Sequence, residues 1–203
     1  MRINAIKQTA PDRLKICLED GTELKTTLAA VTELRLACGR ELDEEELEEL
    51  RLCSLRSLAR EKALEYLSQR QMSRRELKTK LLLKGMDEDT ADYCIQWLSD
   101  RRLIDEESYA AAVVRHYAAK GYGAGRVRQE LQRRGIDREL WDEAMEQMPQ
   151  GGDRLDSFIA SRLTDPEDRT QIRKISSALF RRGYSWEEIR SALRRFQSGD
   201  DEY

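Results

Sequence analysis

Residues 123–136, GAGRVRQELQRRGI, contain the pattern that decides the fold. Val127 and Leu131 are four positions apart, so they share one face of a helix. Gly135 then follows a basic residue. Glycine readily takes the left-handed conformation just after a helix, and an apolar residue such as Ile136 usually comes next. The stretch therefore predicts an amphipathic helix that ends at a glycine.

The same pattern occurs three times in the chain. Residues 77–86 are LKTKLLLKGM, residues 127–136 are VRQELQRRGI, and residues 175–184 are ISSALFRRGY. Each glycine is followed by a further helical pattern, in which apolar residues recur at i, i+3, i+4 and i+7. Self-similarity at a period of about 50 residues indicates a tandem repeat of one supersecondary unit.

A third helix precedes each of these pairs, so the predicted unit is a three-helix bundle. The preceding helices are predicted at about residues 59–69, 106–119 and 153–163. Ser73 and Glu76 have the spacing of a capping box, as do Ser185 and Glu188. Asp165 before a proline is predicted to cap the second helix of the last repeat. Residues 149–152, PQGG, are the clearest linker and suggest a pivot between the last two repeats.

The N-terminal segment differs from the repeats. Residues 2–7, 13–18 and 23–27 are predicted to form a small antiparallel sheet of two or three strands, with a hairpin turn at Asp20-Gly21. A short helix over residues 31–37 is predicted to stop at Gly39. An acidic helix is then predicted from Asp43 to about Leu58, with three glutamates in its first turn, where the helix dipole favours them.

The predicted fold class is mainly α: a tandem array of three three-helix-bundle repeats, preceded by a small antiparallel β element and an acidic helix. Arrays of this kind have repeats that mainly contact their neighbours. The predicted domains are a β cap with a short helix at 1–40, an acidic connecting helix at 41–58, and repeats at 59–104, 105–149 and 150–203.

The aromatic side chains are predicted to serve mostly in the cores of these bundles. Trp97, Trp141, Trp186, Phe158, Phe180 and Phe196 are expected to be core or partly buried rather than base-stacking platforms. Tyr122, which lies in a glycine-rich turn, is the aromatic residue that best fits a base-stacking role.

Composition argues against several classes of function. The net charge of −3 is unlike that of a simple nucleic-acid binder, and no run of about 20 apolar residues predicts a membrane span. The N-terminus lacks the apolar segment of a signal peptide, which predicts a cytoplasmic protein. Cys17, Cys38, Cys53 and Cys94 are widely spaced, and none is near the single histidine, His116. No metal site or other cofactor is therefore predicted.

The motifs of common enzymes are also missing from the sequence. There is no nucleophile elbow, P-loop, dinucleotide-binding fingerprint or paired-histidine zinc motif. Residues 121–125, GYGAG, are interpreted as an inter-helix turn whose backbone N–H groups hold at most a stray phosphate. His116 has no obvious nucleophile or base as a partner. We therefore expect a binding protein and not an enzyme.

Charge is segregated by helix. The predicted second helices are basic, at +4 over residues 74–84, +3 over 124–134 and +5 over 169–182. The third helices of the first two repeats are acidic, at −4 over residues 86–99 and −4 over 136–148. The third helix of the last repeat departs from this pattern because it is weakly basic.

The helix dipole explains only part of this segregation. It favours cations at a helix C-terminus, which accounts for the basic residue before each glycine but not for Arg74, Arg75 or Arg126 at helix starts. We hypothesise that the second helices form a basic track for phosphates or acidic protein surface, since arginine binds either in a bidentate manner. The alternative is an ordinary solvated surface. The candidate residues are Arg74, Arg75, Lys78, Lys80, Arg115, Arg126, Arg128, Arg133, Arg134, Arg173, Lys174, Arg181 and Arg182.

Several stretches of the chain resemble the RecX family of regulatory proteins. Residues 63–67, ALEYL, and 73–77, SRREL, with Lys84-Gly85 resemble the first module of the family. Residues 103–110, LIDEESYA, resemble the link into the second module. Residues 123–136 resemble the stretch that is most conserved within the family. The likeness spans about residues 59–148 well and is weaker beyond them, and the β-bearing N-terminus resembles the extended form of the family.

One position in this most conserved stretch departs from the family. Proline usually follows the glycine there, whereas this chain has Ala124. Proline is favoured but not required at the first position of a helix. The departure is expected to loosen the helix start without changing the fold.

The resemblance implies a modulator of the RecA recombinase. Family members lie in the groove of the RecA filament on single-stranded DNA and curb its growth, strand exchange, ATPase and coprotease activity without catalysing a reaction. The implied partners are the RecA filament and single-stranded DNA, met directly or through RecA, in DNA recombination, repair and the SOS response. We expect a monomer that makes no membrane contact.

Two alternatives remain open at this stage. One is a helix-turn-helix-like DNA-binding protein, although the acidic third helices argue against insertion into a groove of DNA. The other is an α-repeat scaffold that binds proteins and has no link to DNA.

Overall fold

The computed structural model describes residues 1–149 and 153–197, and these form two compact units that meet in sequence at Ile104 and Asp105. Within the described residues the chain forms three β-strands and ten α-helices. Most of the chain is helical, as predicted. None of the described helices is both long and apolar enough to span a lipid bilayer. Residues 150–152 of the predicted linker lie outside the described residues.

A three-stranded antiparallel sheet opens the N-terminal unit and confirms the predicted β element. Its strands are β1 (Ile3–Ala10), β2 (Arg13–Leu18) and β3 (Glu23–Thr27), in the order β1-β2-β3. Ile3, Ile16 and Leu18 are buried in a core that Leu47 and Leu50 complete. The buried face of the sheet therefore packs against the helix that contains these two leucines.

The short helix α1 (Leu28–Glu33) begins and ends earlier than predicted. It starts at Leu28 because the Thr27 hydroxyl accepts a hydrogen bond from the backbone N–H of Ala30 at 3.3 Å. It stops before Gly39 because Arg35, with φ of 51°, already takes the left-handed conformation. The backbone N–H of Gly39 instead donates to the carbonyl of Ile3 at 2.8 Å, which ties this loop to the sheet.

The predicted helix boundary at Leu58 is wrong, because α2 runs without a break from Glu44 to Gln69. A capping box of Asp43 and Glu46 starts it, as its acidic first turn suggests. Small residues on one face allow the helix to approach β3 closely: the Ser54 hydroxyl donates to Thr26 Oγ1 at 2.8 Å. Its last turns bury Ala59 and Ala63 in the core of the first repeat, so one helix serves both the sheet and the repeat.

Three three-helix bundles follow, each around its own core. The first comprises the end of α2, α3 (Arg74–Leu83) and α4 (Glu88–Asp100). The second comprises α5 (Glu106–Ala119), α6 (Ala124–Arg133) and α7 (Trp141–Met145). The third comprises α8 (Asp153–Ala160), α9 (Arg169–Arg181) and α10 (Trp186–Gln197).

The predicted glycine stops are confirmed in all three repeats. Gly85, Gly135 and Gly183 have φ of 84°, 66° and 89°. In each case the residue after the glycine donates its backbone N–H to a carbonyl five residues earlier, as Ile136 does to Leu131 at 3.1 Å. This bond pairs one of the carbonyls that a helix end leaves without a partner.

The predicted helix starts are confirmed in part. Both capping boxes are present: Glu76 N–H donates to Ser73 Oγ at 3.0 Å, and Glu188 N–H donates to Ser185 Oγ at 3.2 Å. The prediction for Asp165 is wrong, because its carboxylate accepts from Glu167 N–H in a tight turn. Asp168 is the residue that caps α9.

The third helix of the second repeat is also shorter than the predicted 136–148. A 3-10 turn over Arg138–Leu140 precedes α7, and no side chain caps either element. The backbone hydrogen bonds of the 3-10 turn lead into α7: Leu140 N–H donates to the Asp137 carbonyl at 3.1 Å, and Trp141 N–H donates to the Arg138 carbonyl.

The second and third repeats are joined through glycine backbone. Gly123 N–H donates to the Arg182 carbonyl at 2.9 Å, and Gly125 N–H donates to the Gly183 carbonyl at 2.9 Å. A Cβ atom at Gly123 would lie 2.6 Å from the Gly183 carbonyl carbon. These bonds also occupy N–H groups that the sequence left available to a phosphate, and they oppose the pivoting that the linker composition suggested.

We predict that Gly123→Ala weakens this junction. Gly123 has an ordinary φ of −79°, so the added methyl group acts through packing and not through backbone strain. Overpacking of this kind costs about 1–3 kcal/mol of unfolding free energy. Urea unfolding measures the loss, and amide hydrogen exchange is expected to accelerate at Gly125.

Gly85→Ala is the control for this prediction. Gly85 has a left-handed φ of 84° with no atom within 4 Å of an added Cβ, so its replacement strains the backbone without closing a contact. The Gly85→Ala substitution should leave amide hydrogen exchange at Gly125 unchanged. Unchanged exchange at Gly125 in the Gly123→Ala variant would contradict the proposed junction.

Candidate functional site

The candidate site is built on the second helices, α3, α6 and α9. Each buries one apolar row, formed by Leu77 and Leu81, by Val127 and Leu131, and by Ile175 and Leu179. Since these rows face the bundle cores, most of the remaining positions, where the cations lie, point towards solvent. The geometry then divides the predicted cations into those that have a partner within the protein and those that do not.

In α3, two of the predicted cations are engaged within the first repeat. Lys78 Nζ lies 2.5 Å from Asp92 Oδ1 and 3.1 Å from Glu88 Oε1, both on α4. The hydrogen bonds to Asp92 and then Glu88 raise the pKa of Lys78. Lys80 lies over the Tyr66 ring at 4.8 Å from its centroid. The basic second helix and the acidic third helix therefore neutralise each other in part.

In α6, a buried carboxylate organises two arginines. Glu130 is only 3% exposed, and its carboxylate lies 3.0 Å from Arg126 Nη2 and 2.7 Å from Arg133 Nη2. Burial alone would raise the pKa of Glu130. Hydrogen bonds from Arg133 and Tyr117, with the charges of both arginines, outweigh burial, and the net pKa is lowered.

Two more of the predicted cations each lie over an aromatic ring and donate a hydrogen bond to an oxygen atom of the protein. Arg134 donates to the Tyr109 hydroxyl and lies over the same ring, at 5.7 Å from its centroid. Arg182 lies 4.7 Å from the centroid of the Phe158 ring and donates to the Gly121 carbonyl at 3.5 Å. Both side chains are half-buried, so they contribute to packing as well as to surface charge.

Six of the thirteen predicted cations are exposed and make no hydrogen bond, ion pair or aromatic contact with the part of the chain that the structure describes. Arg74 is exposed as well but has a contact within the protein. The six side chains are Arg75 on α3, Arg115 on α5, Arg128 on α6, and Arg173, Lys174 and Arg181 on α9. They are the positive charges best placed to meet a ligand.

The third repeat contains exposed aromatic residues that the sequence-based prediction missed. Phe180 and Trp186 are 52% and 53% exposed, so the expectation that both are core or partly buried is wrong. Phe180 lies beside the buried row of α9, seven residues after Arg173 and hence on the same outer face. That spacing is the sequence signal that could have identified it. Tyr122 is half-buried against the Tyr117 ring.

The reactive side chains form no evident chemical centre among the described residues. No group of three or more His, Cys, Asp or Glu residues there is arranged to hold a metal ion. Burial raises the pKa of Cys94 to about 11, which keeps this thiol protonated at neutral pH. His116 is exposed and makes an edge contact with Tyr117.

These features define the class of the protein as a tandem three-helix repeat protein with basic second helices. Two family models match the described repeats: RecX, first three-helix domain, over residues 59–98, and RecX, second three-helix domain, over residues 105–145. Regulatory protein RecX of Xanthomonas axonopodis pv. citri is 37% identical over 139 residues, which cover 66% of this chain and 85% of that protein. Regulatory protein RecX of Vibrio campbellii is 33% identical over 138 residues, which cover 66% and 89%.

Solved structures agree on the fold. A crystal structure of regulatory protein RecX matches with a TM-score of 0.72 and 23% identity over 99% of both chains. The structure of RecX from Lactobacillus salivarius matches with a TM-score of 0.61 and 26% identity, covering 70% of this chain and 97% of that one. The chain belongs to the RecX family of regulatory proteins. The helix start at Ala124 also lies where the resemblance places it, although proline is absent.

We predict that Glu130→Gln destabilises the second repeat in a pH-dependent manner. A carboxylate whose pKa is lowered by folding contributes stability that is full above the ordinary glutamate pKa and is lost as pH falls through the folded-state value. Hydrogen bonds to charged groups contribute about 1.5–3 kcal/mol, so the variant should lose an amount of this order at pH 7.

Urea unfolding of wild type and variant between pH 7 and strongly acidic pH measures this effect. The stability gap is expected to narrow as the pH falls below about 4. Glu139→Gln is the matched control, since Glu139 is exposed and in no ion pair with the described residues. Its free energy of unfolding should differ little from that of wild type at any pH. A gap that is the same at every pH would contradict the role of the Glu130 charge.

Proposed function

We propose that the protein binds the RecA filament on single-stranded DNA and lowers the activity of RecA, as a monomeric cytoplasmic regulator without catalytic activity of its own. Membership of the RecX family supports a regulatory role. The observation that carries the finer proposal is the set of six exposed cations that have no partner among the described residues. A phosphate or an acidic protein surface would give these side chains the charge partners that they lack.

The partnered cations have a different role in this proposal. Arg126 and Arg133 compensate the buried charge of Glu130, so their removal would harm the fold before it tested binding. Arg128, two residues after Arg126 on the same helix, is exposed and makes no contact with Glu130 among the described residues, so its removal leaves the pairs of Glu130 in place. Contacts from several repeats would add through multivalency, so each site can be weak on its own.

We predict that Arg128→Gln/Arg173→Gln/Arg181→Gln weakens the effect of the protein on RecA. The control is Lys7→Gln/Lys25→Gln/Arg51→Gln, which removes the same number of exposed cations from β1, β3 and α2. The measurement is the RecA ATPase on single-stranded DNA, titrated with each protein. Wild type and control should inhibit at similar concentrations, and the triple variant should need considerably more protein.

Salt dependence provides a second readout of the same variants. Each phosphate contact on a single strand contributes about 0.7 to the slope of log K against log salt. Loss of up to three such contacts should make the slope shallower by up to about 2. Absence of any wild-type effect on RecA at equimolar protein would contradict the proposed function.

The experiment also separates the alternatives. A plain DNA-binding protein would bind DNA equally with and without RecA. A scaffold with no DNA link would bind neither DNA nor the filament. If control and triple variant lose activity equally, the proposal for these three arginines is wrong, although the proposed function remains.

A further inference from the structure

The third repeat presents two aromatic rings to solvent as a stacked pair. The ring centroids of Phe180 and Trp186 are 5.0 Å apart, with an angle of 20° between the ring planes. Both side chains are more than half exposed. The core of the repeat is already filled by the rows that contain Leu179 and Ile189. The pair is therefore not needed to close the core, and its apolar surface remains open.

Trp186 also borders a surface groove between α9 and α10. The groove has a volume of about 280 Å³ and is lined by Ile172, Ile189 and Leu193, with Arg190, Arg194 and Gln197 among its polar side chains. Trp186, Arg190 and Gln197 lie on one face of α10, since they are spaced by four and then seven residues. An aromatic ring, an apolar floor and a guanidinium group therefore meet in one place.

The two helices that form the groove, with the turn between them, are strongly positive. Residues 169–197 carry eight Lys and Arg side chains and two glutamates, a net charge of +6 in a chain whose total is −3. Arg173, Lys174, Arg181 and Arg190 are exposed, with no hydrogen bond, ion pair or aromatic contact among the residues described. A polyanion is therefore the ligand that this surface complements in charge.

We infer that this groove, named here the α9–α10 groove, binds a nucleobase of single-stranded nucleic acid. The base lies in the groove against the Trp186 ring, and the neighbouring phosphates meet Arg190 and Arg173, which flank the groove on α10 and α9. Base stacking on aromatic side chains beside a basic surface is the usual way in which proteins hold single strands without regard to sequence. A duplex does not fit, because its base faces are stacked on each other and not available.

The inference rests on the proposed function for its biological setting. It deepens that function by assigning direct contact with the DNA strand to the third repeat. An acidic protein segment could use the charges of the surface. Such a segment would gain less from the two stacked aromatic rings, whose flat surface is complementary to the face of a nucleobase. Binding to free single strands can also be measured without RecA, so the two proposals can fail separately.

The test compares two ligands that differ only in their bases. Fluorescently labelled oligothymidylate and an abasic oligonucleotide of the same length carry the same phosphates, and full-length protein is titrated into each. The variants are Trp186→Leu, which keeps apolar bulk without the indole ring, and Trp186→Tyr, which restores an aromatic face. Arg190→Gln is paired with Arg138→Gln, an exposed arginine on the 3-10 turn of the second repeat.

Wild type should bind oligothymidylate more tightly than the abasic strand. Trp186→Leu should weaken oligothymidylate binding by about 5- to 140-fold, the range that follows from loss of one base–aromatic stack. Its affinity for the abasic strand should stay unchanged, and Trp186→Tyr should recover most of the loss. Arg190→Gln should weaken both ligands, whereas Arg138→Gln should weaken neither.

Several results would overturn the inference. Equal binding of the two ligands by wild type, or full oligothymidylate affinity in Trp186→Leu, would exclude base stacking at this site. If Trp186→Leu does not fold, Arg190→Gln keeps the inference testable, because full affinity of that variant for both ligands would contradict binding in the groove. Inhibition of RecA by wild type without binding to free oligothymidylate would end the inference but leave the proposed function. Loss of RecA inhibition in Trp186→Leu with unchanged oligothymidylate binding would assign the groove to protein contact instead.

Discussion

The structure depends on one constraint that acts in every repeat: the second helix must bury an apolar pair four residues apart and then stop at a glycine. Leu77 and Leu81, Val127 and Leu131, and Ile175 and Leu179 meet this requirement. The left-handed glycine that follows turns the chain so that the third helix can return over the same core. Because the buried row fixes how each helix is rotated, it also fixes which side chains point outward. The position of the basic residues is thus a consequence of core packing.

That rotation alone does not make every cation available. Glu130 holds Arg126 and Arg133, and the acidic helix α4 holds Lys78. These pairs reduce the number of exposed positive charges that have no partner. The third repeat is different because α10 is weakly basic and offers few carboxylates to α9. Arg173, Lys174 and Arg181 of α9 remain exposed, and an aromatic pair and a groove lie in the same repeat. The proposed binding functions therefore depend on where internal neutralisation is incomplete and not on the total charge of the chain.

Much of the fold could be predicted from the sequence, because its main signals are local. The glycine stops, the capping boxes and the periodic apolar rows depend on residues within a few positions of one another. The boundary placed at Leu58 failed because no glycine or proline lies there, and Ser57, a possible cap residue, contacts Thr27 while α2 continues through it. Asp165 and Asp168 compete for the same helix start, and spacing alone did not decide between them.

Contacts between distant segments could not be predicted in this way. The hydrogen bond from Gly125 to Gly183 joins residues of different repeats, and no local pattern signals it. The partners of Arg134 and Arg182 are aromatic rings from other helices. For the same reason, the list of thirteen cations included both partnered and unpartnered side chains. Tertiary structure was needed to tell them apart.

Arginine-selective chemical modification, read residue by residue by mass spectrometry, tests most directly whether the outward side of the second helices is the binding surface. The protein is modified alone and in complex with the RecA filament on single-stranded DNA. We expect Arg75, Arg128, Arg173 and Arg181 to react readily in the free protein and to be protected in the complex, while Arg51 and Arg138 react equally in both. Protection confined to arginines outside α3, α6 and α9 would contradict this expectation.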